Sequence, residues 1–320
     1  MKAIDKTYPL FQYPGNVIIV DDDARFTKAL SLKLADSFTT TVFNSPSNAI
    51  KFFMNRSHSI FDELSLIAEL PAVELDTDGF AYTIDYEAIS KLIGFQPRYQ
   101  EPTVLIVDYR MPDMTGLEFL SKINNKHIKT ILLTAHDEKS IAVNAFNSGL
   151  IDKYIIKDPS IIDSNLFSVI TELNQAYFNE VSKDKLGIDL LTRLYDAQYN
   201  KIFAEWIRNF NINEYYRIDD CGSVVGLTAS GKVIWLALQA QNKQASYTDV
   251  FNSHHDKPLG NAQMIYLFSD KEKYSNPTAL DSYVYDIQGH VTVRGIPMCY
   301  TIIQDETFSL SIAHLTSFTH

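Results

Sequence analysis

Through the first half of the chain, short unbroken apolar runs alternate with apolar residues spaced three or four apart. The runs are Val17-Ile18-Ile19-Val20, Val104-Leu105-Ile106-Val107, Ile131-Leu132-Leu133 and Tyr154-Ile155-Ile156. Continuous apolarity of that length suits strands covered on both faces, as in a parallel sheet. A β-branched stretch, Thr39 to Phe43, predicts one more strand. The spaced sets are Phe26, Leu30, Leu34; Ala49, Ile50, Phe53; Leu117, Leu120, Ile123; and Leu166, Ile170, Leu173, Tyr177. Each predicts a helix with one buried stripe. Ser45-Pro46 reads as a helix start, and Gly149 as the stop of a helix over about Glu138 to Ser148. Strand and helix in alternation predict an α/β fold, a doubly wound, five-stranded parallel sheet of flavodoxin-like type.

Two regions break the alternation. Between about His58 and Glu101 lies an insertion, with Ile60, Phe61, Leu64, Ile67 and Leu70 at helical spacing. A second helical pattern runs Ile84, Ala88, Ile89, Leu92, Ile93 and stops at Gly94. The insertion reads as helical, either packed on the edge of its own domain or forming a docking surface for a partner or a second subunit. Beyond the charged run Ser182-Lys183-Asp184-Lys185 the pattern changes again. A helix is expected over about Ile188 to Phe210. Strands follow at Tyr215–Ile218, Ser223–Thr228, Lys232–Gln239, Met264–Phe268, Ser282–Asp286, His290–Arg294 and Met298–Gln304, with Gly-bearing joints that suit hairpins. This is a smaller α+β domain with antiparallel strands. The division expected is a lead over 1–15, loose or laid on the surface, a domain over 16–181 containing the insertion 58–101, and a second domain over 186–320.

The predicted parallel strands share a chemical feature: each ends in a functional group. Val20 runs into Asp21-Asp22-Asp23, Val107 into Asp108, Leu133 into Thr134 and Ile156 into Lys157. In open α/β sheets the carboxyl ends of the strands are where ligands bind. One acid after one strand is ordinarily a turn residue or a helix cap. Two acid clusters, a hydroxyl and a lysine together suit phosphoryl transfer. Carboxylates hold Mg²⁺, a cation and a lysine neutralise phosphoryl oxygens, another carboxylate is the nucleophile, and the hydroxyl senses the product.

These residues resemble the receiver domain of two-component response regulators. The resemblance rests on Val20-Asp21-Asp22, on Asp108-Tyr109-Arg110-Met111-Pro112-Asp113-Met114-Thr115-Gly116, on Leu133-Thr134-Ala135, and on Tyr154 three before Lys157. It covers about half the chain. It implies that Asp108 is the phospho-acceptor. It implies that Asp21, Asp22, Asp108 and the Arg110 backbone carbonyl hold Mg²⁺ or Mn²⁺. Thr134 and Ala135 are then phosphate-binding and switch positions, Tyr154 the switch aromatic and Lys157 the phosphate-binding lysine. The implied partner is a sensor histidine kinase or phosphotransfer protein. Two departures stand out. Asp158 intervenes between Lys157 and Pro159, and Asp22 and Asp108 are 86 positions apart, about twice the usual separation. The insert and tail resemble those of a quorum-sensing response regulator.

Composition narrows the second half. The whole chain carries a net charge of −11, against a general nucleic-acid binder. From Val181 onward there are 12 Lys plus Arg against 15 Asp plus Glu, and no basic helix-turn-helix pattern. Neither a phosphate-binding Gly loop nor a cyclase signature is present. His254-His255-Asp256 reads as a solvated loop, as does His136. Cys221 and Cys299 form no paired motif and read as reduced thiols. No signal-like or membrane-length apolar run occurs, so a soluble, cytoplasmic protein is expected. The function expected is a self-modifying switch rather than a turnover enzyme. Its output would act by dimerisation or protein contact. A nucleotide or small-molecule binding or enzymatic output, and a transcription regulator with an unusual DNA surface, are the alternatives.

Overall fold

The computed structural model describes residues 8–56, 59, 61, 67–69, 82–84, 86–123, 127–135, 138–193, 197–219, 221–241, 263–265, 284–293 and 296–304. In chain order the elements are β1 (Phe11–Gln12), β2 (Asn16–Val20), α1 (Ala24–Leu34), β3 (Thr39–Phe43), α2 (Pro46–Asn55), β4 (Ile67–Glu69), β5 (Tyr82–Ile84) and α3 (Tyr86–Gly94). A 3₁₀ turn, Gln96–Gln100, leads to β6 (Pro102–Asp108), α4 (Gly116–Lys122), β7 (Lys129–Thr134), α5 (Lys139–Asn147), β8 (Lys153–Ile156) and α6 (Pro159–Arg193). The rest is α7 (Ala197–Phe210), β9 (Ile212–Arg217), β10 (Val224–Thr228), β11 (Val233–Ala240), β12 (Gln263–Ile265), β13 (Val284–Asp286), β14 (Gly289–Val293) and β15 (Ile296–Ile303). No described helix is long and apolar enough to cross a membrane.

The chain divides into two units. One comprises Gln12–Leu64 and Phe95–Asp184. Its sheet has the order β3-β2-β6-β7-β8, with every pairing parallel. Alternate residues of the apolar runs serve opposite faces, as strand geometry requires. Val17, Ile19, Val104, Ile106, Ile131 and Leu133 pack with Leu30 and Leu34 of α1 and Leu166, Ile170 and Leu173 of α6. Ile18, Val20, Leu105, Val107 and Leu132 pack with Ala49 of α2, Phe119 and Leu120 of α4, and Ala142 and Ala145 of α5. The result is the expected three-layer, doubly wound sheet. The chain reverses direction of winding between β2 and β6, which opens the crevice at their carboxyl ends.

The other unit comprises Met1–Phe11, Ser65–Gly94 and Lys185–His320. Its main sheet has the order β1-β9-β10-β11-β15-β14. The pairings from β9 to β14 are antiparallel, as the Gly-bearing joints predict. Tyr199, Phe203 and Trp206 of α7 lie in one core with Tyr215, Val224, Ile234, Leu236 and Met298. Gly226 is required there, because a Cβ would meet Trp206 at 2.5 Å. The Arg217 guanidinium is fully buried in the same core, 4.7 Å from the Tyr199 ring centre and 5.4 Å from that of Phe203.

Three expectations change. The described part of the lead, from Tyr8 onward, is not loose: Tyr8, Leu10, Phe11 and Tyr13 are buried, β1 joins the antiparallel sheet, and the Leu10 carbonyl accepts from the Arg217 amide at 2.8 Å. Aromatic side chains of that size gain more from burial than the segment loses in freedom. In the insertion, α3 lies where the second helical pattern placed a helix. Ile67–Glu69, however, is a strand paired with Tyr82–Ile84, where a helix was expected. Finally, the charged run, expected as a linker, does mark the division between the two units, which falls after Asp184, but it is helical and lies within α6, which continues to Arg193. The run has neither Pro nor Gly, Val181 and Ser182 are buried, and Asp184 faces His127 at 3.2 Å. The polar stretches around His136 and His254-His255-Asp256 lie outside the described residues.

Candidate functional site

Asp21 follows β2 and is fully buried, while Asp22 beside it is exposed. The Asp23 amide donates to Asp21 Oδ1 at 2.9 Å, which turns the chain at the strand end. Asp23 itself caps α1, accepting from the amides of Phe26 and Arg25. Those bonds hold its carboxyl below the ordinary value. The structure places Asp23 as the helix cap that the sequence reading expected.

Asp108 ends β6 and is 6% exposed. The Arg110 amide donates to its Oδ2 at 3.0 Å. The loop that follows is closed by a bridge between Arg110 and Thr115 and by the Gly116 amide on the Tyr109 carbonyl at 2.7 Å. Gly116 has to be glycine, since a Cβ would fall 2.5 Å from the backbone oxygen of Asp108. Thr115 and Glu118 form a reciprocal capping box that fixes the start of α4.

Lys157 joins the two strand ends. Its Nζ donates to Asp21 Oδ2 at 2.6 Å and to Asp108 Oδ1 at 3.1 Å, and it lies 4.7 Å from the Phe26 ring centre. Burial alone would lower its pKa, but the bonds and charges of Asp21 and Asp108 win and raise it. Burial raises the pKa of Asp21. Burial raises that of Asp108 too, and the neighbouring Asp21 charge adds to it. Both acids thus hold their negative charge at a cost that a further cation would relieve.

One carboxylate oxygen from each of Asp21, Asp22 and Asp108 lies within 4.8 Å of the others. Three carboxylates around one point, one of them open to water, suit a hard cation that keeps part of its hydration. The donor set therefore fits the Mg²⁺ or Mn²⁺ expected from the resemblance.

Thr134 ends β7 and is 1% exposed. Its hydroxyl donates to Glu138 Oε2 at 3.2 Å, and the Ala135 amide donates to that same oxygen at 3.0 Å. The Ala135 carbonyl is also within 3.2 Å of the hydroxyl. Glu138 is buried and pairs with the Arg110 side chain. Tyr154, on β8, is half-buried and meets Phe146 edge to face at 6.5 Å. Asp21, Asp22, Asp108 and Lys157 are thus brought together at one sheet edge. Thr134 and Ala135 lie on the neighbouring strand end, turned to Glu138. Sequence reasoning missed Glu138 and the Arg110 side chain. The only signal was an acid four residues after Thr134, which reads as the start of a helix.

Comparison with known proteins agrees with this geometry. Residues 59–163 match the response regulator receiver domain. NtrC of Proteus hauseri, a DNA-binding transcriptional regulator, is 42% identical over 69 residues, covering 21% of this chain and 14% of that protein. The transcriptional regulatory protein FixJ of Rhizobium meliloti is 30% identical over 95 residues, covering 29% of this chain and 46% of FixJ. The chain thus spans less than half the length of either relative. Among solved structures, the response regulator LqsR of Legionella pneumophila shares the fold over 94% of this chain and 91% of its own, with a TM-score of 0.65 at 22% identity. The likeness in fold extends over both units. With the acids, the lysine and the hydroxyl at the ends of a parallel sheet, this chain contains a domain similar to the receiver domain of two-component response regulators.

Proposed function

We propose that the chain is a phosphorylation-driven switch in which Asp108 takes a phosphoryl group from a sensor histidine kinase or phosphotransfer protein. The observation that carries this reading is the position of Asp108. It is buried at a strand end, held at one oxygen by the Arg110 amide and at the other by Lys157, with Asp21 and Asp22 alongside. In the step, an Asp108 carboxylate oxygen attacks phosphorus, the P–N bond of a phosphohistidine breaks, and the imidazole leaves with a proton from solvent. Lys157 stays within reach of the transferred oxygens and offsets their charge. Asp21, Asp22, Asp108 and the Arg110 carbonyl would hold Mg²⁺ or Mn²⁺, which when bound neutralises phosphoryl oxygens. The new charge draws on Thr134, Ala135 and Lys157, and Tyr154 with the last strand and helices repacks.

The antiparallel unit is the output. It works by dimerisation or by binding a protein partner, in the cytoplasm, with a place in quorum sensing as the resemblance of the insert and tail implies. Cys221 and Cys299 form no paired motif in the sequence, which suits a reducing compartment. The test is phosphoryl uptake from acetyl phosphate with Mg²⁺, alongside mass in solution by light scattering, for wild type and Asp108→Asn. Uptake by wild type alone, with a change from monomer to dimer, is the expected result. Uptake without a change in mass leaves the acceptor standing and sends the signal to a separate partner. Equal uptake by both proteins, or none by either, overturns the reading.

A further inference from the structure

Glu138 has no role in the switch as set out above, yet its carboxylate bonds to Thr134, Ala135 and Arg110. Its carboxylate is buried at the head of α5. Oε2 accepts from the Thr134 hydroxyl at 3.2 Å and from the Ala135 amide at 3.0 Å. Oε1 accepts from Arg110 Nε at 2.7 Å and lies 2.6 Å from an Arg110 Nη. A buried carboxylate is stable only when donors surround it, and here they come from two loops: the one after Asp108 and the one after Thr134.

The hydroxyl and amide that hold Oε2 are the pair that the proposed mechanism assigns to a phosphoryl oxygen on Asp108. A carboxylate oxygen and a phosphoryl oxygen ask the same thing of such donors: a hydrogen bond to a negative charge. Both cannot have them. We infer that Glu138 is an internal competitor for the phosphoryl group. Its carboxylate fills the oxygen subsite formed by Thr134 and Ala135, and Arg110 is the clamp that keeps it there. This rests on Asp108 being the acceptor. Arg110 is well placed for the task, because its backbone is fixed to Asp108 through the amide while its side chain reaches across to Glu138. The clamp thus starts two residues from the acceptor. Glu138 and Arg110 are positioning residues: neither touches phosphorus in the proposed step.

An occupant of this kind has a distinct kinetic signature. A donor binds productively only to molecules in which the subsite is open, so its apparent affinity falls by the open fraction. The rate at saturating donor is unchanged, because a high donor concentration displaces the occupant. The experiment is the rate of phosphorylation of the full chain against acetyl phosphate concentration at fixed Mg²⁺, read on phosphate-affinity gels. It compares wild type with Glu138→Ala, Glu138→Gln, Arg110→Ala and Asp108→Asn. Removing a charge-assisted competitor should lower the half-saturating donor concentration about tenfold in Glu138→Ala. The same plateau is expected. Arg110→Ala, whose side chain is largely exposed and whose loss leaves the core intact, should lower it by a smaller factor. Glu138→Gln keeps the shape, loses the charge and should fall between. An unchanged half-saturation in Arg110→Ala and Glu138→Gln, or a reduced plateau with half-saturation unmoved, overturns the inference while leaving Asp108 as acceptor. Uptake by Asp108→Asn at the wild-type rate, or no uptake by any version, overturns the acceptor and this inference together.

Discussion

Tyr199 puts a phenol where water does not reach. Its hydroxyl donates to the Gly222 carbonyl at 2.7 Å, and its ring lies against Gly222 and the Arg217 guanidinium. Burial pushes its pKa up to about 12, although Arg217 pulls the other way. A raised value in the fold means that the neutral form is preferred there, so the stability it brings is complete below pH 10. That stability is lost as pH climbs from 10 through about 12. The loss should be about 2–3 kcal/mol over that window. Urea unfolding of the wild type, followed by circular dichroism at several alkaline pH values, should show the fall. Tyr199→Phe should start lower by the missing hydrogen bond and fall less. At this scale the sequence was informative about Asp21, Asp22, Asp108, Thr134 and Lys157. Each closes an apolar run, and a strand fixes where its last residue points. Glu138 was not legible, because its role depends on how two loops turn their side chains toward one another. Arg217 was read as part of a strand, but nothing in Tyr-Tyr-Arg-Ile says which face the guanidinium takes.

Helix α4 shows how an element inherits its position from a few residues. Its capping box closes two orphan amides, Phe119 and Leu120 enter the core, and Gly116 lets its first turn sit on the Asp108 carbonyl. Thr115→Ala should cost about 1 kcal/mol in urea unfolding and leave the fold intact. Glu118 would then lose its reciprocal role, and the first turn of α4 would fray next to Asp108. The parallel strands were legible because both faces are covered and the apolar runs are therefore unbroken. The antiparallel strands were legible from their Gly-bearing joints, with ends within a few residues of those observed. Two elements were not. The pair β4–β5 is only three residues a side, too short for a period to declare itself, and its surroundings have helical spacing. Helix α6 runs through a charged tetrapeptide whose residues are acceptable helix formers, and composition alone cannot tell such a run from a linker.

At the scale of the whole molecule, the two units are not consecutive halves of the sequence. Segments from the start of the chain and from the insertion belong with the C-terminal portion. Composition and pattern could separate a parallel from an antiparallel unit, but they could not assign the lead or the insertion. Those assignments depend on pairings such as β1 beside β9, which join residues some two hundred positions apart. Long-range pairing leaves little trace in a local pattern.

One distribution has a practical use. The chain has two tryptophans, Trp206 and Trp235, and both are buried in the antiparallel unit. The receiver has none, so the protein is labelled on one side by nature. Indole emission is blind to events confined to the receiver and sees only what reaches the other unit. Adding beryllofluoride with Mg²⁺ should shift the emission of wild type and leave Asp108→Asn unmoved. A shift times the arrival of the message in the output unit without an attached dye. Silent emission, with beryllofluoride bound, would mean that the receiver hands its signal directly to an outside partner.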